Sequence, residues 1–88
     1  MECEWKIQLP VGERIELTFT AFSLEDSRSC KFDYVEVRDG DNINSPLIGR
    51  YCGSQLPPIA TSTSNNMVVK FRSDWSYSAE GFRISFQS

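Results

Sequence analysis

Apolar residues recur at every second position in run after run of this 88-residue chain, and no stretch shows a sustained helical period. Trp5, Ile7 and Leu9 alternate with Lys6 and Gln8, and Ile15, Leu17 and Phe19 alternate with Glu16, Thr18 and Thr20. Met67, Val69 and Phe71 share one parity, with Lys70 and Arg72 on the other. Phe82, Ile84 and Phe86 close the chain as a last inward-facing run. Side chains two apart on a strand point the same way, so each run predicts a strand with one buried face. Residues 47–52, 60–64 and 66–72 are also predicted strands. Ala21 falls in phase with the inner face, yet Phe22 beside it is apolar, which predicts a bulge nearby. Pro10-Val11-Gly12, the stretch 41–46 and the stretch 53–58 supply turns between the runs. Short strands separated by turn residues predict an all-β sandwich of two antiparallel sheets.

Residues 30–40 concentrate chemistry within one predicted strand. Val35 and Val37 share a face, and Asp33 has their parity. If the valines are buried, Asp33 points toward the edge of the core, where an ionised carboxylate is costly without a positive partner. The plainer alternative is that Asp33 caps a turn through its own backbone. Asp39-Gly40 ends the strand with turn chemistry.

Composition excludes several classes of function. Eighty-eight residues make one small domain, and with 40% hydrophobic residues the chain can build a core. A net charge of −3 without a Lys/Arg cluster argues against nucleic acid and against an anionic membrane surface. No apolar run is long enough to span a bilayer, and residues 1–88 are not expected to include a signal peptide. Histidine is absent, which removes Ser-His-Asp and Cys-His catalysis and His-ligated zinc. The three cysteines, Cys3, Cys30 and Cys52, form no C-x-x-C pair, so a zinc cluster or a thioredoxin-like site is not expected. Disulfides that persist imply an oxidising, extracellular compartment.

The order and spacing of several motifs resemble one family. Cys3-Glu4-Trp5 opens a strand, and Cys30-Lys31-Phe32-Asp33-Tyr34-Val35-Glu36-Val37-Arg38-Asp39-Gly40 follows at some distance. Gly49-Arg50-Tyr51-Cys52-Gly53, Ser62-Thr63-Ser64-Asn65, Phe71-Arg72-Ser73-Asp74 and Gly81-Phe82 come after it. Together they resemble the CUB domain, an extracellular interaction module, across essentially the whole chain. The resemblance implies a jelly-roll-like sandwich of two antiparallel sheets. It also implies a Cys30–Cys52 disulfide, a staple worth about 3 kcal/mol by the loop-entropy model. Cys3 matches the second member of the family's first cysteine pair. Residues 1–88 are therefore expected to form a single CUB-like domain that lacks the family's opening segment and its first strands. Cys3 would then have a partner upstream, remain a free thiol, or bridge to another chain.

A calcium-binding subset of the family places a glutamate and two aspartates at one end of the sandwich. Glu25, Asp33 and Asp74 match those acids, and oxygens of Ser76 and Tyr77 would complete the set. The residue chemistry agrees: three carboxylates brought together repel one another unless a hard cation neutralises them. Oxygen ligands without Cys or His favour Ca²⁺ over zinc. The plain alternative is three unrelated surface acids. The resemblance further implies that the module receives a Lys or Arg of a partner protein beside the calcium. Glu25, Asp33, Asp74 and Ser76 would accept its hydrogen bonds, and Trp75 and Tyr77 would cover its stem. Ordinary packing is the alternative for both aromatics. The parent is expected to be a multidomain secreted or membrane-anchored extracellular protein. A second reading is a spacer or dimer contact without calcium chemistry. A third, a glycosidase using Glu25 and Asp33, has no sugar cleft to support it, so the chain is read as a binding module and not an enzyme.

Overall fold

The computed structural model describes residues 2–23, 33–72 and 81–88. Among the described residues there are seven strands: β1 (Glu2–Gln8), β2 (Glu16–Ser23), β3 (Tyr34–Arg38), β4 (Leu47–Tyr51), β5 (Ala60–Thr61), β6 (Asn66–Arg72) and β7 (Gly81–Gln87). One sheet has the order β1-β6-β3-β4 and the other β5-β2-β7, and every pairing is antiparallel. This is the all-β sandwich of two antiparallel sheets that the alternation predicts.

The inner faces meet as the alternation requires. Met67, Val69 and Phe71 of β6 and Val35 and Val37 of β3 form one wall; Ile15, Leu17, Phe19, Phe22 and Ala60 form the other. Aromatic edges lock the walls together: Phe19 packs on Tyr51 at 6.0 Å between centroids, and Phe71 on Phe82 at 5.2 Å. Gly49 makes room for this, because a Cβ there would run into the Tyr51 hydroxyl. The expected bulge lies between Phe19 and Ala21, where the β2–β7 register shifts. Ala21 is thereby turned to solvent and Phe22 returned to the core.

Three details differ from the sequence expectation. The strand expected over 60–64 stops at Thr61. Ser62 leaves the ladder because its buried hydroxyl accepts from the Ile15 amide at 2.8 Å and donates to the Ser64 carbonyl at 2.5 Å. Trp5 and Phe86, expected to face inward, are 44% and 52% exposed. They sit on β1 and β7, each the last strand of its sheet among the described residues, so half of each ring has no layer to pack on. β3 is buried on both faces, with Tyr34 and Glu36 buried as well as the valines.

The turn after β3 rests on Gly40, whose φ of +152° suits glycine and whose missing Cβ would overlap the Ser45 side chain. Asp39 accepts there from the Thr63 amide at 3.0 Å and the Thr63 hydroxyl at 2.8 Å, tying the β3–β4 turn to the approach to β6.

Candidate functional site

Asp33 immediately precedes β3 and is 1% exposed. Its burial agrees with the expectation that it lies at the edge of the core. It is engaged there with a neighbour.

The face of β3 opposite Val35 and Val37 carries a chain of polar contacts. The Arg50 guanidinium lies 4.3 Å from the centroid of the Tyr34 ring. Arg50 Nε donates to Glu36 Oε1 at 2.8 Å, and Arg50 Nη2 donates to the same oxygen. Arg38 Nη2 donates to Glu36 Oε2 at 3.3 Å, and Arg38 Nη1 donates to the Ser45 carbonyl at 3.0 Å. The contacts run from the residue after Asp33 to the β3–β4 turn. Pairing register explains them: Glu36 is opposite Arg50 on one side and Lys70 on the other, and Lys70 is opposite Glu4. Opposite charges alternate across that rung, as cross-strand pairs favour. Burial pushes the Glu36 carboxyl up, but hydrogen bonds and charge from Arg50, then Arg38, outweigh it and hold it below the ordinary 4.5.

The described strand ends converge at the Asp33 pole. Tyr34 is paired with Arg72, the last residue of β6, and Ser23, the last of β2, is paired with Gly81, the first of β7. The ring contact between Phe71 and Phe82 joins these two pairs across the sheets. The chain therefore leaves or enters the sandwich at residues 23, 33, 72 and 81, all at one pole.

Of the expected site residues, Asp33 is described, and Glu25, Asp74, Trp75, Ser76 and Tyr77 lie outside the described residues. Among the described residues no three acids or cysteines gather as a metal site. Cys52 follows β4 and is half-buried, and Cys30 lies outside the described residues. Cys3 is a half-buried free thiol. Sequence reasoning missed Glu36, Arg38 and Arg50. The alternation of Glu36 and Arg38 with valines reads as a solvated face, and the partnership of Glu36 with Arg50 appears only once β3 and β4 are in register.

The CUB domain profile matches residues 1–86. The chain belongs to the CUB domain family. Mouse Tolloid-like protein 2 is 49% identical over 86 residues, covering 98% of this chain and 8% of that protein. The crystal structure of the MASP-1 CUB2 domain bound to Ca²⁺ superposes with a TM-score of 0.86 at 31% identity, covering all of this chain and 78% of that one. The full extracellular region of zebrafish Gpr126/Adgrg6 contains a match with a TM-score of 0.86 at 35% identity, covering 99% of this chain and 11% of that one. The chain thus spans under a tenth of the length of its Tolloid-like relative. A CUB domain is a non-catalytic interaction module. Among the described residues no helix is long and apolar enough to cross a membrane.

The Glu36 cluster makes acid stability testable. A depressed folded pKa means that the stabilisation is present above the ordinary value of 4.5 and is lost as pH falls through the lower folded value. Glu36→Gln should lower stability at neutral pH by about 1–3 kcal/mol, the range for a charged hydrogen-bond partner. The variant should also lose less than wild type as pH falls below 4.5. Urea unfolding across that window measures both effects, and parallel pH profiles for the two proteins would count against this role for Glu36.

Proposed function

We propose that this CUB domain is an extracellular, calcium-dependent protein-binding module. Glu25, Asp33, Asp74 and Ser76 would hold Ca²⁺. The same residues, with Trp75 and Tyr77, would receive a Lys or Arg side chain of a partner protein. The observation that carries the reading is the shared pole: Asp33 is buried at the start of β3, beside the ends of β2 and β6. Glu25 and Asp74 each follow one of those ends by two residues, a reach of about 7 Å at most. A donor set made only of oxygens, three of them carboxylates, fits Ca²⁺. The Ca²⁺-bound state of the MASP-1 CUB2 domain supports the same choice of ion. Three carboxylates exceed one divalent ion by one negative charge, which leaves the pole acidic toward a basic head group. The extracellular setting is supported by the Gpr126 match and would make persistent disulfides possible.

The Cys30–Cys52 disulfide belongs to the same proposal. Cys52 carries no free thiol, whereas Cys3 does. Non-reducing peptide mapping should recover a peptide linking residues 30 and 52. A link from Cys3 to either one would overturn the pairing.

Calcium should raise the unfolding midpoint, by a gain of about 1.4 kcal/mol at free calcium ten times a Kd of about 10⁻⁴ M. Magnesium should do little, since it resists dehydration and demands tighter octahedral geometry. Differential scanning calorimetry reads this directly, and a midpoint indifferent to calcium would remove the metal from the reading.

Partner recognition separates by variant. Asp74→Ala should lose both calcium and partner, whereas Trp75→Ala should keep calcium and weaken the partner. Surface plasmon resonance with the parent's binding partner, with and without chelator, distinguishes these cases. Binding that survives both chelator and Asp74→Ala would move the spacer or dimer-contact reading ahead.

A further inference from the structure

A carboxylate holds a metal well only if its backbone is already in place, and Asp33 lies just outside its strand. Tyr34, the first residue of β3 and the one after Asp33, shares the face of Glu36 and is itself buried. What lies over its ring is the Arg50 guanidinium from β4. Arg50 is in turn fixed by two donations to Glu36 Oε1, and Glu36 is fixed by Arg38. The guanidinium is planar, so one face can cover the ring while its edge grips the carboxylate. Yet Arg50 remains 41% exposed on its side chain, more than ordinary packing of a buried ring requires. Asp33 is thus one peptide bond from the residue whose ring Arg50 covers.

We propose that Arg50 is the positioning residue for Asp33: it clamps the Tyr34 ring onto β4 and so holds the neighbouring carboxylate in place at the pole. The inference deepens the calcium reading and rests on it for its consequence, but the clamp exists without metal. Residues that orient a metal-binding carboxylate without touching the ion typically change affinity strongly when removed. Arg50→Met removes the charge and the grip on Glu36 while keeping an unbranched stem. Arg50→Lys keeps the charge but loses the planar face.

The test compares wild type with Arg50→Met, Arg50→Lys, Tyr34→Leu, Asp33→Asn and Leu17→Ala. Leu17 is buried in the other sheet, so its variant reports plain loss of stability. Calcium affinity is measured by isothermal titration with calcium chloride, at a temperature where each variant is folded. Arg50→Met and Tyr34→Leu should each weaken calcium about tenfold, with Arg50→Lys in between and Leu17→Ala unchanged. Backbone ¹⁵N relaxation in calcium-free protein supplies the second readout. The Asp33 order parameter should fall toward about 0.6 in Arg50→Met and stay near wild type in Leu17→Ala. An unchanged order parameter in Arg50→Met overturns the positioning role, as does an affinity loss that Leu17→Ala reproduces. If wild type does not bind calcium, or Asp33→Asn binds it equally well, the calcium reading fails, and the order parameter alone decides the clamp.

Discussion

Strand β3 is covered on both sides, and the covering is of two different kinds. Val35 and Val37 are packed between the sheets by apolar contact, which is strong in sum but not directional. Tyr34 and Glu36 are covered by the arms of Arg38 and Arg50, which are directional. The 3% exposure of Glu36 would be costly for a bare carboxylate. Three guanidinium donations make it tolerable and at the same time select one register between β3 and β4. A slip of one residue would turn Glu36 into the apolar wall and Val37 out of it. The position of Asp33 depends on that register, and with it the pole.

The pole and the far turn are built differently. At the far turn, hydrogen bonds from Thr63 to Asp39, and between Leu9 and Asn65, tie neighbouring loops to one another. At the Asp33 pole the strand ends are tied by the Phe71–Phe82 contact, an apolar joint between the two sheets. A joint of that kind sets the distance between the ends of the two sheets. A scaffold closed by packing in this way is the kind on which loops carry function. Family membership agrees with this division, because a CUB domain presents a binding surface and performs no catalysis of its own.

Much of the fold was legible in the residues because it is local. Period-two alternation identified β6 and β3, and the slip at Ala21 located the bulge in β2, since side-chain direction on a strand follows from its own backbone. The burial of Asp33 was expected for the same reason: its parity with Val35 is a property of three residues. The end of β5 was not legible, because the Ser62 hydroxyl that ends it bonds to Ile15, forty-seven positions away. Nor were the exposures of Trp5 and Phe86, which depend on each strand's place in its sheet and not on its own pattern.

The sequence by itself determined the class of structure, the face each residue takes along its strand, and an all-oxygen set of candidate ligands free of histidine. Those properties depend on covalent geometry and side-chain type, which need no tertiary context. The tertiary structure alone decided which strands are neighbours, and therefore that Glu36 meets Arg50 and that Tyr34 lies beneath it. It also decided that the ends of β2, β3, β6 and β7 share one pole. Contacts between distant positions carry no signature in either partner's own stretch of chain, because their energy is realised only when the sheets close.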